Sequence, residues 1–229
     1  MAQKAVVLLS GGLDSSTACG IAKKNGHEII ALTFRYGQRH EKEIESAKKI
    51  SEHYGAVEHL IVEIDLSVIG GSALTDKSID VPSHSEKEIG QGEIPVTYVP
   101  GRNTIFLSYA LALAEARGAD YIYIGANAVD YSGYPDCRPE YIEAFQRVAD
   151  LGTKRGVEGR PIKIVAPLIN LTKAEIIKLG TEIGVPYEKT WSCYLGGEKP
   201  CGKCDSCLLR AKGFREAGIP DPLLVKGWG

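Results

Sequence analysis

The chain opens on a pattern that few folds can house. Ala5 to Leu9 is a short apolar run with no polar alternation, the mark of a strand buried on both faces and so of a parallel sheet. It ends in Ser10-Gly11-Gly12-Leu13-Asp14-Ser15-Ser16 and passes directly into a helical stretch, Thr17 to Lys24. A strand, a Gly-Gly turn and a Ser/Asp-rich helix start make the layout of an anion-binding loop. Adjacent glycines reach positive φ without a Cβ clash and let the backbone approach a ligand. The unpaired N–H groups of a first helical turn, together with the helix dipole, then favour a phosphate.

The same alternation continues along the chain. His27 to Phe34, His59 to Ile64, Tyr121 to Gly125 and Ile162 to Ala166 read as further strands. Helices are expected over His40 to Tyr54, from Arg102 or Asn103 to Arg117, and from Pro139 to about Leu151. Another opens at the capping box Thr172-x-x-Glu175 and ends near Gly184, and a last one runs from about Asp205 to Ala217. This pattern predicts a doubly wound α/β domain on a mainly parallel five-stranded sheet. Leu66 to Pro100 breaks the rhythm with its glycines and prolines, and a loop of that length is usually a lid, a binding loop or disordered. Ligands of such sheets bind beyond the strand C-termini, at the switch point of strand order. The loops Ser10–Ser16, Arg35–His40, Leu66–Arg102, Ala126–Arg138 and Leu168–Lys173 are therefore expected to converge.

Composition narrows the partners. The 229 residues, 44% of them hydrophobic, suffice for a full core. Lys and Arg number 27 against 29 Asp and Glu, a formal charge of −2, which gives no general attraction to nucleic acid or membrane. No stretch approaches the roughly 18 apolar residues of a membrane span. Met1 to Lys4 lead straight into the first strand, so no secretory leader is expected and the protein is expected in the cytoplasm.

Of the six cysteines, Cys193, Cys201, Cys204 and Cys207 crowd together in the spacing Cys-x7-Cys-x2-Cys-x2-Cys. Uneven placement in a cytosolic chain argues for metal rather than disulfides. Four thiolates complete a tetrahedral Zn²⁺ and leave no open position, so the metal is expected to be structural. An iron–sulfur cluster takes the same ligands. The domain expectation follows: residues 1–190 form the α/β domain, and 191–229 form a metal-binding loop, helix and tail packed on it. A third cluster is Asp130-Tyr131-Ser132-Gly133-Tyr134-Pro135-Asp136-Cys137-Arg138. Tyr131 or Tyr134 suits stacking on a flat heterocycle, Asp130 or Asp136 suits accepting from a guanine-like edge, and Arg138 suits binding a carboxylate or phosphate.

The first loop carries neither the Walker nor the dinucleotide fingerprint. It resembles the pyrophosphate loop of the N-type ATP pyrophosphatases, which split ATP between the α and β phosphates. Taken in order, that loop, Thr33-Phe34-Arg35-Tyr36-Gly37-Gln38-Arg39-His40, Val99-Pro100-Gly101-Arg102-Asn103, Ser132 to Arg138, Lys173-Ala174-Glu175 and the four cysteines resemble the 7-cyano-7-deazaguanine synthase family of queuosine biosynthesis. The likeness spans about Val6 to Arg210. Some members carry Cys-Glu-Thr-Asp where this chain has Asn127-Ala128-Val129-Asp130, so only the role of Asp130 transfers from that stretch.

The resemblance implies that a carboxylate, 7-carboxy-7-deazaguanine, is adenylated by ATP, that ammonia displaces AMP to give an amide, and that a second adenylation and loss of AMP give the nitrile. It implies ATP contacts from Leu9, Ser10, Gly11, Gly12, Leu13, Asp14, Ser15, Ser16, Phe34 and Arg39, with the loop cradling pyrophosphate. Asp14 would help hold Mg²⁺, Arg102 and Lys173 would stabilise charge at the α-phosphate, and Phe34 and Tyr36 would flank adenine. It implies a deazaguanine site at Asp130, Tyr131, Tyr134, Asp136 and Arg138, Zn²⁺ on the four cysteines, and a homodimer with small-molecule partners only. Three other readings fit parts of the chain: another ATP pyrophosphatase, such as an amide-forming synthetase or a tRNA-modifying enzyme; a zinc-ribbon nucleic-acid module; and a nucleotide sensor that binds ATP without making AMP.

Overall fold

A computed structural model of the chain describes residues 2–83, 94–129 and 133–225. In order, the elements are β1 (Lys4–Leu8), α1 (Leu13–Lys24), β2 (Glu28–Arg35), α2 (Lys42–His53), β3 (Glu58–Glu63), α3 (Arg102–Arg117), β4 (Tyr121–Tyr123), α4 (Pro139–Gly152), α5 (Lys154–Val157), β5 (Lys163–Val165), α6 (Lys173–Glu182), α7 (Asp205–Ala217) and α8 (Pro222–Val225). The five strands lie in the order β3-β2-β1-β4-β5, and every neighbouring pair is parallel. The sheet is thus the doubly wound one the apolar runs predict.

Alternation along β1 explains the two layers. Val6 and Leu8 face one way and pack with Leu107, Ala110 and Ala114 of α3 and with Phe145 and Ala149 of α4. Ala5 and Val7 face the other way and pack with Cys19 and Ala22 of α1 and Ala47 and Ile50 of α2. With both faces covered, the continuous apolar runs have no polar side to show. A third cluster joins Leu13 and Ala18 of α1, Ile176 and Ile177 of α6 and Phe214 of α7. Residues 191–225 are therefore stitched to the α/β body through α6 and the start of α1.

Three boundaries differ from the sequence pattern for physical reasons. α1 begins at Leu13 rather than Thr17, because Gly12 takes the extended N-cap position and Ser16 N–H already donates to Gly12 O at 3.1 Å. Asp14, Ser15 and Ser16 are thus helical residues. The long segment after β3 is packed where it is described: Leu66, Leu74 and Val99 belong to the core. The short turns α5 and α8 carry too few residues for any periodicity to mark them. The capping box is formed: Thr172 Oγ1 accepts from Glu175 N–H, and Glu175 accepts in return from Thr172 N–H. Among the described residues, no helix is long and apolar enough to cross a membrane.

Candidate active site

Strand order reverses between β1 and β4, and there the loops after both strands meet. They meet closely: a Cβ at Gly125, just past β4, would lie 2.8 Å from Asp14 C and Ser15 N. The loop after β1 is pressed equally hard from the other side. Gly11 has φ +81, and a Cβ there would lie 2.3 Å from Glu43 O and 2.4 Å from Ala47 N of α2. The first turn of α2 is therefore seated on the glycine loop. A cavity of about 290 Å³ opens at this point, near the lower end of the roughly 300–1,000 Å³ typical of small-molecule sites.

The loop is closed on itself by hydroxyls. Ser10 and Ser15 Oγ lie 3.0 Å apart, Ser15 Oγ also accepts from Ser10 N–H at 3.2 Å, and Ser10 Oγ accepts from Gly12 N–H at 3.3 Å. No side chain caps the start of α1, which leaves its first N–H groups for an anion. Lys173, the first residue of α6, donates to both carboxylate oxygens of Asp14 at 2.7 Å. This largely shielded pair holds a cation and an anion at the loop in balance.

Of the residues expected at ATP, Leu9, Ser10, Gly12, Leu13, Asp14, Ser15, Phe34 and Arg39 line the cavity, as do Arg102 and Lys173. Gly11 and Ser16 do not. Gly11 turns toward α2, and helical rotation carries Ser16 into the core, where its Oγ has no partner among the described residues. Phe34 stacks on Phe106 with centroids 4.0 Å apart and planes 7° from parallel, and both rings line the cavity. Arg39 is committed elsewhere: its guanidinium donates to Ala73 O, Asp76 O and Ile79 O and ties down the segment after β3. Arg102 lies over the Tyr36 ring, 5.8 Å from its centroid. Burial opposes its charge, but Tyr36, Tyr134, Cys137 and Asp136 outweigh that and hold the guanidinium firmly protonated.

The expected deazaguanine residues divide. Asp130 and Tyr131 lie outside the described residues. Tyr134 lines the cavity, and its hydroxyl pairs with Thr97 Oγ1 at 2.9 Å. Asp136 and Arg138 do not line it. Arg138 is exposed at the N-cap of α4. Asp136 is buried and accepts from Asn103 N–H at 3.1 Å, while Asn103 Nδ2 donates to Asp136 O at 3.1 Å. Asp136 thus braces the N-terminus of α3 and, through it, Arg102. Asp136→Ala is expected to cost about 1–2 kcal/mol by removing an acceptor from a helix start, and Asp136→Asn to retain most of that. Thermal melts of the two variants check it.

Several cavity residues escaped the sequence reading. Cys137 sits in the wall with Asn103 Nδ2 3.3 Å from its sulfur. Burial, with Asp136 beside it, pushes its thiol up to about 11, so it is not a ready nucleophile. Glu43 faces the cavity from the first turn of α2. Burial raises its carboxyl to about 7, with Arg102 pulling the other way and Cys193 adding to the rise. Periodicity could not flag Glu43, because helical spacing marks the apolar face and this residue stands at the helix end that points at the strand C-termini. Trp191 also lines the cavity, and its backbone N–H donates to Gly11 O at 3.0 Å.

That last contact makes the cysteine segment part of the site. Cys193, Cys201, Cys204 and Cys207 place their sulfurs within 4.8 Å of one another. A tetrahedral zinc with Zn–S of about 2.3 Å requires sulfurs roughly 3.8 Å apart, and Cys201 and Cys207 sulfurs are 3.9 Å apart. Backbone N–H groups of Cys201 and Leu195 donate to Cys193 Sγ, and those of Lys203 and Cys204 to Cys201 Sγ, as suits thiolates. Hydrogen bonds from Cys204 and Cys207 hold the Cys193 thiol far below its usual range, and the same sharing pushes Cys204 up to about 12 and Cys207 higher still. One thiolate is thus favoured and its neighbours resist ionising, the crowding a dication would relieve. The donor set fits zinc. His40 Nε2 donates to Cys193 O at 2.8 Å, so the cluster is tied to the start of α2 as well as to the glycine loop. Arg210 of α7 closes the segment, with both Asp221 oxygens, Thr190 and Tyr187 O around its guanidinium.

The parallel order with a glycine loop at its switch point, and a four-cysteine segment against that loop, define a doubly wound α/β protein with a C-terminal segment whose four cysteines could hold a metal. The profile of the family described as queuosine biosynthesis protein QueC matches residues 4–218, and the chain belongs to that family. It is 61% identical over 221 residues to the 7-cyano-7-deazaguanine synthase of Trichodesmium erythraeum, covering 96% of this chain and 100% of the relative. The 7-cyano-7-deazaguanine synthase of Acetivibrio thermocellus is 59% identical, with 96% of this chain and 97% of the relative covered. Among solved structures, the NMN synthetase of Francisella tularensis superposes with a TM-score of 0.49 at 18% identity, over 100% of this chain and 79% of that one.

Proposed function

We propose that this chain converts 7-carboxy-7-deazaguanine and ammonia to 7-cyano-7-deazaguanine, cleaving ATP to AMP and pyrophosphate in two rounds at one site. The observation that carries this reading is a cavity that joins the glycine loop with Tyr134 and Cys137, in a chain 61% identical to a synthase of that name. A carboxylate oxygen is a poor leaving group, and adenylation turns it into AMP. The carboxylate attacks the α-phosphorus and pyrophosphate departs into the N–H groups at the start of α1, with Ser10 and Ser15 beside them. Arg102 offsets charge on the α-phosphate. The triphosphate draws Lys173 from Asp14, which frees the Asp14 carboxylate for the Mg²⁺ that accompanies ATP. Ammonia then displaces AMP, and the amide oxygen goes through the same steps. Tyr134 is the aromatic wall for the deazaguanine, with Asp130 and Tyr131 as its expected companions.

Zinc held by the four cysteines supplies no open position and no chemistry of its own. The protein works as a cytoplasmic homodimer on small molecules, without direct contact to nucleic acid. A second reading, an enzyme of related ATP chemistry acting on another carboxylate, would keep the same loop and change the occupant near Tyr134.

The test is exchange of labelled pyrophosphate into ATP, dependent on the carboxylate. AMP and pyrophosphate are the expected products, and ADP with phosphate contradicts the reading. Asp14→Ala is expected to lower turnover on the order of 10²-fold, the scale of lost transition-state electrostatics.

A further inference from the structure

The reaction proposed above imposes a requirement at one atom. Ammonia enters carrying three protons on nitrogen, and the nitrile nitrogen carries none. The cavity must therefore hold an acceptor beside the reacting carbon that the ATP machinery does not already occupy.

Among the described residues, the cavity wall has two carboxylates, Asp14 and Glu43. Asp14 has both oxygens engaged by Lys173, and in the reaction proposed above it passes from Lys173 to the metal that accompanies ATP, so it belongs to the ATP machinery throughout. His40 also lines the cavity, but its Nε2 donates to Cys193 O, and its Nδ1 is enclosed and without a partner among the described residues. The carboxylate of Glu43 makes no hydrogen bond or ion pair among the described residues. Its backbone is packed against the glycine loop, because the Glu43 carbonyl is the atom a Cβ on Gly11 would strike at 2.3 Å. The helix turn that carries Glu43 is thus placed against the loop itself. The charged and titratable groups around it are Arg102 from α3, Tyr36 from the end of β2 and Cys193 from the metal-binding segment.

We propose that Glu43 is a catalytic residue of the nitrogen-handling half of the reaction, taking N–H protons from the incoming ammonia and later from the adenylated amide. In the first round nitrogen bonds to the acyl carbon, the carbon–oxygen bond to AMP breaks, and one N–H proton passes to Glu43. In the second round the amide oxygen bonds to the α-phosphorus and pyrophosphate leaves. The remaining two N–H protons then depart, the carbon–oxygen bond to AMP breaks, and the triple bond closes. Glu43 releases each proton to water between steps. Arg102 keeps the carboxylate usable as an acceptor, and burial keeps the proton it gains from being held too weakly.

This inference rests on the proposed reaction, and the experiment separates the two. Glu43→Gln preserves shape and removes the acceptor. Carboxylate-dependent pyrophosphate exchange is expected to stay within about threefold of the parent, while amide formation from ammonia falls on the order of 10²-fold or more. Nitrile formation from supplied amide should fall as far. Hydroxylamine, which loses its proton more readily, should restore much of the acyl transfer, and Glu43→Asp should recover part of the ammonia-dependent rate. A structural defect would depress exchange and both nucleophiles alike. Glu43→Gln that makes amide and nitrile at parental rates overturns the role, as does a folded variant that loses exchange in proportion. A parent that shows no carboxylate-dependent exchange overturns the proposed reaction itself, and the role with it.

Discussion

Gly11→Ala is expected to abolish turnover and weaken the fold together. The residue sits at φ +81, and its added Cβ would meet two backbone atoms of α2, Glu43 O at 2.3 Å and Ala47 N at 2.4 Å. Neither atom can swing aside as a side-chain end would. The loop or the helix must shift, and a misplacement of about 1 Å at a reacting centre costs on the order of 10²-fold in rate. The left-handed backbone adds about 1–2 kcal/mol for a residue with a Cβ, and forced overpacking about 1–3 kcal/mol more. Gly26→Ala separates the two causes. Gly26 has the same φ of +81 but nothing within 4 Å of its Cβ position, so it should lose only the strain term and keep full activity. AMP release and melting curves on both variants are the measurement. Equal behaviour of the two would mean that the seating of α2 on the loop is unimportant.

The second large effect is expected at the metal. Cys204→Ser removes one of the clustered sulfurs and leaves thiolates short of a ligand. Loss of a structural metal belongs with the few single changes that exceed about 4 kcal/mol. At roughly 2–4 °C per kcal/mol for a chain of this size, the melting temperature should drop by about 8–16 °C, with zinc content falling alongside. The sequence suggests that activity should decline only in step with folded protein. The structure predicts more. Trp191, two residues before Cys193, holds Gly11 O, and His40 holds Cys193 O. Freed, this segment releases the glycine loop, so the ATP requirement of the remaining folded protein should rise severalfold. Unchanged ATP dependence in folded, zinc-poor protein would reduce the segment to a passive staple.

The difference between these expectations shows what the sequence made legible. The sheet, its parallel sense and the loop after β1 follow from unbroken apolar runs joined to glycines and helix starts, and the structure has all of them. The four cysteines are legible because metal chelation imposes short spacing. Less visible are contacts set by which elements touch. Nothing in the spacing says that Trp191 meets Gly11, that Arg39 spends its charge on three carbonyls after β3, or that Asp136 accepts from Asn103 N–H at the start of α3. Each is a polar residue in a loop that the topology brings to the cavity, and side-chain chemistry alone does not separate a brace from a binding group. Glu43 was hidden for the converse reason: helical periodicity marks apolar stripes and passes over the polar residue at the end of a helix.

The central claim is that one cavity carries a carboxylate through an amide to a nitrile by two adenylations. It is tested most directly by incubating the protein with ATP, Mg²⁺, isotopically labelled ammonium and 7-carboxy-7-deazaguanine and weighing the products. The account predicts 7-cyano-7-deazaguanine carrying the label on its nitrile nitrogen, with two AMP formed per nitrile and the labelled amide rising and falling before it. A labelled amide that accumulates without nitrile, or ATP cleaved to ADP, would contradict it.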